Sequence, residues 1–351
     1  MERGNKCSIM ASVSLFLLVI FFGSLTVYGE GSFSYQVEFP ENQMAQDKGY
    51  YHLKMKPEQK QTVKIHFSNP GDKKAAVGIS LNNAKTNSNG VIEYGDTKIE
   101  NDPSLVFSFT DIVTGPKRIE LEPGEKKVVE LQIEMPETSY EGVIVGGIQL
   151  IQEGQENSKE NQGSMVVNEY AYVVAMLLQE SDKVVVPELV FNKVDPGQSN
   201  FKNTVFVNYS NVNASFVENM TTEVQISKKG SKAVIYERKQ SKMRMAPNSF
   251  INFPVSMSGE KMVPGNYTAK ILVTADQDIR EEWTEDFTIT KEDAEKFNER
   301  DVGLVQDKGM NWKIVVFIIV GFFVLVLMIL GILTIIRGKK KNKKGKKRNK
   351  K

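Results

Sequence analysis

The chain has 351 residues, with 45 Lys and Arg against 43 Asp and Glu, a net charge of +2, one cysteine and two histidines. A lone cysteine supplies no disulfide framework. The charge is uneven: 11 basic residues lie in the tail from Arg337, so residues 30–313 hold 32 basic and 42 acidic side chains, which disfavours nonspecific binding to polyanions such as nucleic acid.

In chain order, the first feature is a secretory signal over 1–29. Arg3 and Lys6 form a charged head, an apolar stretch follows, and Val27-Tyr28-Gly29 offers the small residue that cleavage needs. Cys7 would leave with it. The mature exterior then has no cysteine. Asn208, Asn213, Asn219 and Asn266 stand in N-x-[ST] sequons. The missing cysteines outweigh the sequons and point to a bacterial surface protein with a single membrane.

The exterior reads as β structure. Val63, Ile65 and Phe67 alternate with Lys64 and His66, the period of a half-buried strand. Pro57 stands just before this run. Pro123 stands the same way before Val129, Leu131 and Ile133, and Pro247 before Phe253, Val255 and Met257. A proline presets the turn, and the strand enters from it in fixed register. Pro136 then leads to Tyr140 and a strand, and Pro264 leads to Tyr267 and a strand. The repeat of this order predicts two modules, each suited to a corner-stapling tyrosine. About 280 exterior residues suit two domains. The fold class is all-β: two tandem Ig-like antiparallel β-sandwich domains, followed by one transmembrane helix.

The predicted domains are 33–155 and 165–300. The strand at 165–180 fits either module, pairing back to complete the first or opening the second, so the boundary within 150–186 stays open. Residues 153–164 are polar and aperiodic, a loop. "KEDAEKFNER" is helical and leads into a stalk over 301–313. Residues 314–336 form an apolar run long enough to cross a bilayer, for which about 20 residues are needed. The basic tail, 337–351, stays cytoplasmic and leaves the body outside.

Little in the chain suits catalysis. His52 and His66 sit in alternating strands. No H-E-x-x-H, G-x-S-x-G or P-loop occurs. Ser258 and Lys261 spell S-x-x-K, but in a turn-rich segment. The stretch "NAKTNSNGVIEYGD" has Lys85 where a calcium loop needs a carboxylate, so a turn before a strand explains it better. No cofactor or metal is expected. Asn82, Asn83, Asn87 and Asn89, with Tyr94, form the candidate ligand site: amides match sugar hydroxyls, and an aromatic face covers a sugar ring. The same residues are also ordinary turn formers.

The segments "FSYQVEFPENQ", "GYYHLKMKPEQKQTVKIHFSNPGDK", "SLNNAKTNSNGVIEY", "LEPGEKKVVELQIEMPETSYEGVIVGGI", "NEYAYVVAMLLQE" and "MRMAPNSFINFPV" occur in this order between Phe33 and Phe297. In these the chain resembles the WxL-interacting proteins of Gram-positive bacteria. The resemblance implies an N-terminal peptidoglycan-binding domain, a second domain termed host-binding, a membrane helix and a basic tail. It also implies three partners: peptidoglycan, a WxL-domain surface protein and a host extracellular matrix protein. Trp283 is followed by Thr284-Glu285 and Trp312 by Lys313-Ile314, so the W-x-L motif is absent and the chain would be the partner of a WxL protein. The function expected is that of a noncatalytic anchor at the cell membrane, single-pass, with the body extracellular. The alternative is an assembly chaperone that lends a strand edge to surface subunits.

Overall fold

The structure, a computed structural model, describes residues 33–44, 48–153, 171–304, 312 and 316–332. The expected signal peptide and basic tail lie outside the described residues, as does the expected loop at 153–164 except for Glu153, which ends a strand.

The first sandwich packs two sheets. One runs β1 (Ser34–Glu38), β3 (Lys60–Ser68), β9 (Lys126–Glu134) and β7 (Val113–Thr114). The other runs β2 (Tyr51–Lys54), β11 (Ala171–Gln179), β10 (Val143–Glu153), β4 (Ala75–Asn83) and β8 (Arg118–Leu121). Pairing is antiparallel except between β2 and β11, where Met176 faces Tyr51 in a parallel register. The strand at 171–179 therefore sits inside this first sandwich, hydrogen-bonded to β10 along Val143–Gln179 through Ile151–Ala171. Alternation fixes the inward face: Val63, Ile65 and Phe67 of β3 meet Ile148 and Leu150 of β10 in one core. The one-turn helix α1 (Phe109–Ile112) buries Phe109 beside them.

The second sandwich packs β12 (Leu189–Ser199), β13 (Lys202–Asn211) and β16 (Ser249–Ser256) against β15 (Val234–Met245), β14 (Val217–Lys228), β17 (Gly265–Thr274) and β18 (Arg280–Ile289). Tyr209, Phe253 and Val224 are fully buried in its core, and Trp283 lies 5.7 Å from the Tyr209 ring. The helix α2 (Lys291–Arg300) closes the domain, capped by Thr290, whose hydroxyl accepts from the Asp293 amide at 3.0 Å.

The three strand-entry prolines share one geometry. Each is followed by a residue with positive φ: Glu58 at 58°, Gly124 at 75° and Asn248 at 47°. That is the type II turn, with proline presetting the first corner and a left-handed residue at the second. The first two turns are closed by Gln59 N donating to Lys56 O at 3.1 Å and Glu125 N to Glu122 O at 3.0 Å. Of the two expected corner tyrosines, Tyr267 staples its own corner, donating to Val263 O at 2.8 Å, whereas Tyr140 ties its loop to β11 instead, donating to Leu178 O at 2.8 Å.

Residues 316–332 form a helix, α3, with Phe317, Phe322 and Leu327 exposed. No helix among the described residues is both long and apolar enough to cross a membrane. The expected span, 314–336, extends at both ends beyond the described residues.

Candidate functional site

The two sandwiches are joined by a small hairpin of the first, β5 (Lys85–Thr86) paired with β6 (Ile92–Glu93). Its turn is built by Asn87. The side-chain oxygen accepts from Asn89 N at 2.9 Å and Val91 N at 3.1 Å, while the amide nitrogen donates to Glu93 at 2.7 Å. Gly90 completes the turn at φ +66°, and a Cβ there would lie 2.4 Å from the Cβ of Met243 in the second domain. The hairpin is pressed onto β15, where Arg244 N donates to Gly90 O at 2.8 Å and Gln240 donates to Asn89 O at 2.7 Å. Ala84, Ile92 and Val145 of the first domain form a buried cluster with Ala246 of the second.

This arrangement disperses the candidate amides. Asn82 bonds Ser80 of its own strand. Asn83 is buried and holds α1, accepting from Phe109 N at 2.7 Å. Asn87 is committed to its turn, and Asn89 is exposed at the tip. Lys85 donates to Ile99 O at 2.9 Å, and burial lowers its pKa. Among the described residues no cluster of His, Cys, Asp and Glu could hold a metal. The S-x-x-K residue Ser258 lies in a turn at φ +55°.

Tyr94 has a different setting. Its backbone crosses Gly147 of β10 so closely that a Cβ on the glycine would fall 2.1 Å from Tyr94 O. Its ring lines a cleft of about 480 Å³ between the domains, with Tyr50, His52, Phe216, Glu218 and Arg244. The floor is Ala175 and Leu177, the outward face of β11. On the second-domain side, Arg244 forks onto Glu218 at 2.6 and 2.5 Å, and its guanidinium lies 5.6 Å from the Phe216 ring. The Glu218 hydrogen bonds raise the Arg244 pKa. Burial raises that of Tyr94, partly offset by Arg244. His52 and Gln179 share a 2.7 Å hydrogen bond at the rim. Three aromatic rings thus face a polar group that is internally charge-balanced. A second junction cavity, about 450 Å³, is lined by Phe107, Tyr140, Val185 and Ala214 among others. Tyr50, Phe216, Glu218 and Arg244 carry no local signal in the sequence. They converge only because the hairpin docks one sandwich on the other.

Residues 33–152 match the family model described as "WxL Interacting Protein, peptidoglycan binding domain", and residues 161–299 the one described as "WxL Interacting Protein, host binding domain". The second match begins before β11, the strand that packs in the first sandwich. No curated protein matches the chain. Among solved structures, PapD-like domain 7 of human CEP192 is 12% identical, covering 44% of this chain and 87% of that one, with a TM-score of 0.26. The Pseudomonas aeruginosa CupB2 chaperone is 13% identical over 66% and 93%, at 0.25. The Salmonella enterica SafA pilin in complex with the SafB chaperone is 10% identical over 67% and 98%, at 0.27. Likenesses this distant carry no argument.

Proposed function

The chain belongs to the WxL-interacting proteins, and from that premise we propose a noncatalytic cell-surface anchor whose first domain holds peptidoglycan and whose second engages a WxL-type surface protein. The observation that carries this reading is the pair of family matches in that order, 33–152 and then 161–299. Both families are described as binding domains, not catalytic ones. A host extracellular matrix protein would be reached through the second domain or through the WxL partner.

Membrane attachment is part of the proposal. It rests on the apolar run 314–336, on the exposed apolar side chains of α3, and on the basic tail that follows. The tail would stay inside and the two sandwiches outside. Of the amides, Asn87 would then shape the hairpin, Asn83 hold α1 and Asn82 bond within its own strand, while Asn89 stays exposed at the tip and Tyr94 faces ligand.

The test uses the full-length chain in detergent. It should sediment with insoluble peptidoglycan and, in a separate arm, co-precipitate a WxL-domain protein from wall extract. Retention of neither ligand would overturn the reading. A partner that fails to fold without the chain, rather than merely failing to stay at the surface, would favour the assembly-chaperone alternative.

A further inference from the structure

We propose that the interdomain cleft is the seat of the glycan, so that the sugar strand is gripped by both domains rather than by the first alone. The inference deepens the peptidoglycan reading given above and rests on it.

Three observations carry it. The lining is aromatic where a sugar ring needs a flat apolar face: Tyr50 and Tyr94 from the first domain, Phe216 from the second. It is polar where hydroxyls and acetamido groups need partners. Glu218 accepts, Arg244 donates, and His52 with Gln179 offers both. The charges cancel within the site, because the Arg244 guanidinium is already bidentate to Glu218. An anionic peptide carboxylate would have to displace Glu218 from it, whereas a neutral sugar adds hydrogen bonds to lone pairs and N–H groups that the fork leaves over. The neutral glycan, not the stem peptide, is therefore the occupant the chemistry selects. The volume, about 480 Å³, is that of a small-molecule site.

The cleft is also held in shape without ligand. Gly147 lets Tyr94 lie against β10, Gly90 lets the hairpin meet Met243, and Arg244 N fastens the hairpin to β15. A preformed aromatic slot loses little entropy on binding.

The test is co-sedimentation of the full-length chain with insoluble peptidoglycan, using wild type, Phe216→Ala and Ala175→Arg. Ala175 points outward from β11, so the arginine fills the cleft without removing any core packing. Thermal unfolding checks that each variant folds. Phe216→Ala and Ala175→Arg should each weaken retention by about tenfold or more, as loss of a central contact does. An N-acetylglucosamine tetramer should compete, and a free stem peptide should not. If folded Ala175→Arg is retained like wild type, or if only the peptide competes, the cleft is not the glycan seat, although peptidoglycan binding stands. If wild type itself is not retained, the peptidoglycan reading falls, and this inference with it.

Discussion

The hydroxyl oxygens of Thr86 and Ser249, 163 residues apart in the chain, lie 2.6 Å from each other in the buried seam between the domains. Thr86 Oγ1 also accepts from Ala246 N at 2.9 Å, and Ser249 donates to Ala246 O at 2.8 Å. One threonine thus satisfies a backbone donor and a hydroxyl of the other domain. Thr86→Val keeps the shape and removes the acceptor, leaving Ala246 N buried without its partner. The expected loss is about 1–3 kcal/mol in urea unfolding. A change within experimental error would mean that the seam is wet or loose and does not fix the domain angle.

The strand-entry turns make a cleaner stability test. Gly124 has φ +75° and open space around its Cα, so a methyl group there meets nothing. Gly124→Ala isolates the cost of left-handed backbone, about 1–2 kcal/mol. Its effect should appear in denaturation midpoints without a change in the slope that reports exposed surface. Equal stability would mean that the turn relaxes to another conformation.

These turns were legible in the sequence because proline, turn and alternating strand are local signals. Pro57, Pro123 and Pro247 predict the strands that follow them, and Tyr267 staples its own corner, whereas Tyr140 reaches the distant strand β11. What the sequence withheld is nonlocal. The parallel pairing of Met176 with Tyr51 crosses most of the first domain, and nothing in "YYHLKMK" announces it. The same holds for the candidate site. Asn82, Asn83, Asn87 and Asn89 stand out as a cluster of amides, yet three of them bond within their own domain. Tyr94 was the one member of that set that faces the cleft, and its companions Phe216 and Arg244 lie more than a hundred residues away. Docking of the hairpin, not local pattern, brings them together.

Alkaline pH should lower the stability of the protein through its buried tyrosines. Burial raises the pKa of Tyr209, which is fully enclosed and bonded to Thr222 at 2.6 Å, and burial raises those of Tyr51 and Tyr140 as well. Below the ordinary value of 10.0 these phenols are neutral in both states, so their contribution to stability is fully present. Above it the unfolded chain ionises first, and stability falls as pH rises toward the folded values. Each tyrosine held neutral adds a slope of about −1.4 kcal/mol per pH unit in that window. Unfolding curves between about pH 9 and pH 11 should show the decline, and Tyr209→Phe should make it shallower by roughly one tyrosine's share. An unchanged slope in that variant would mean that Tyr209 ionises in the native state.

Gly147→Ala couples the fold to the cleft. The added Cβ would sit 2.1 Å from Tyr94 O and 2.6 Å from Tyr94 Cβ, contacts with backbone that no rotamer change relieves. Gly147 is paired on both sides, with Ala175 of β11 and Asn82 of β4, so the strand itself has little room to retreat. Tyr94 must therefore lift off β10, and its ring must leave its place beside Arg244. Overpacking of this kind costs about 1–3 kcal/mol. If Tyr94 forms one wall of the ligand site, the variant should also lose peptidoglycan retention at temperatures where circular dichroism shows it folded. Gly230→Ala is the control for destabilisation alone: Gly230 has φ +81° in an open turn of the second domain, with nothing within 4 Å. Its stability loss should come without loss of retention. Parallel loss of retention in both variants would assign the effect to general destabilisation and remove Tyr94 from the site.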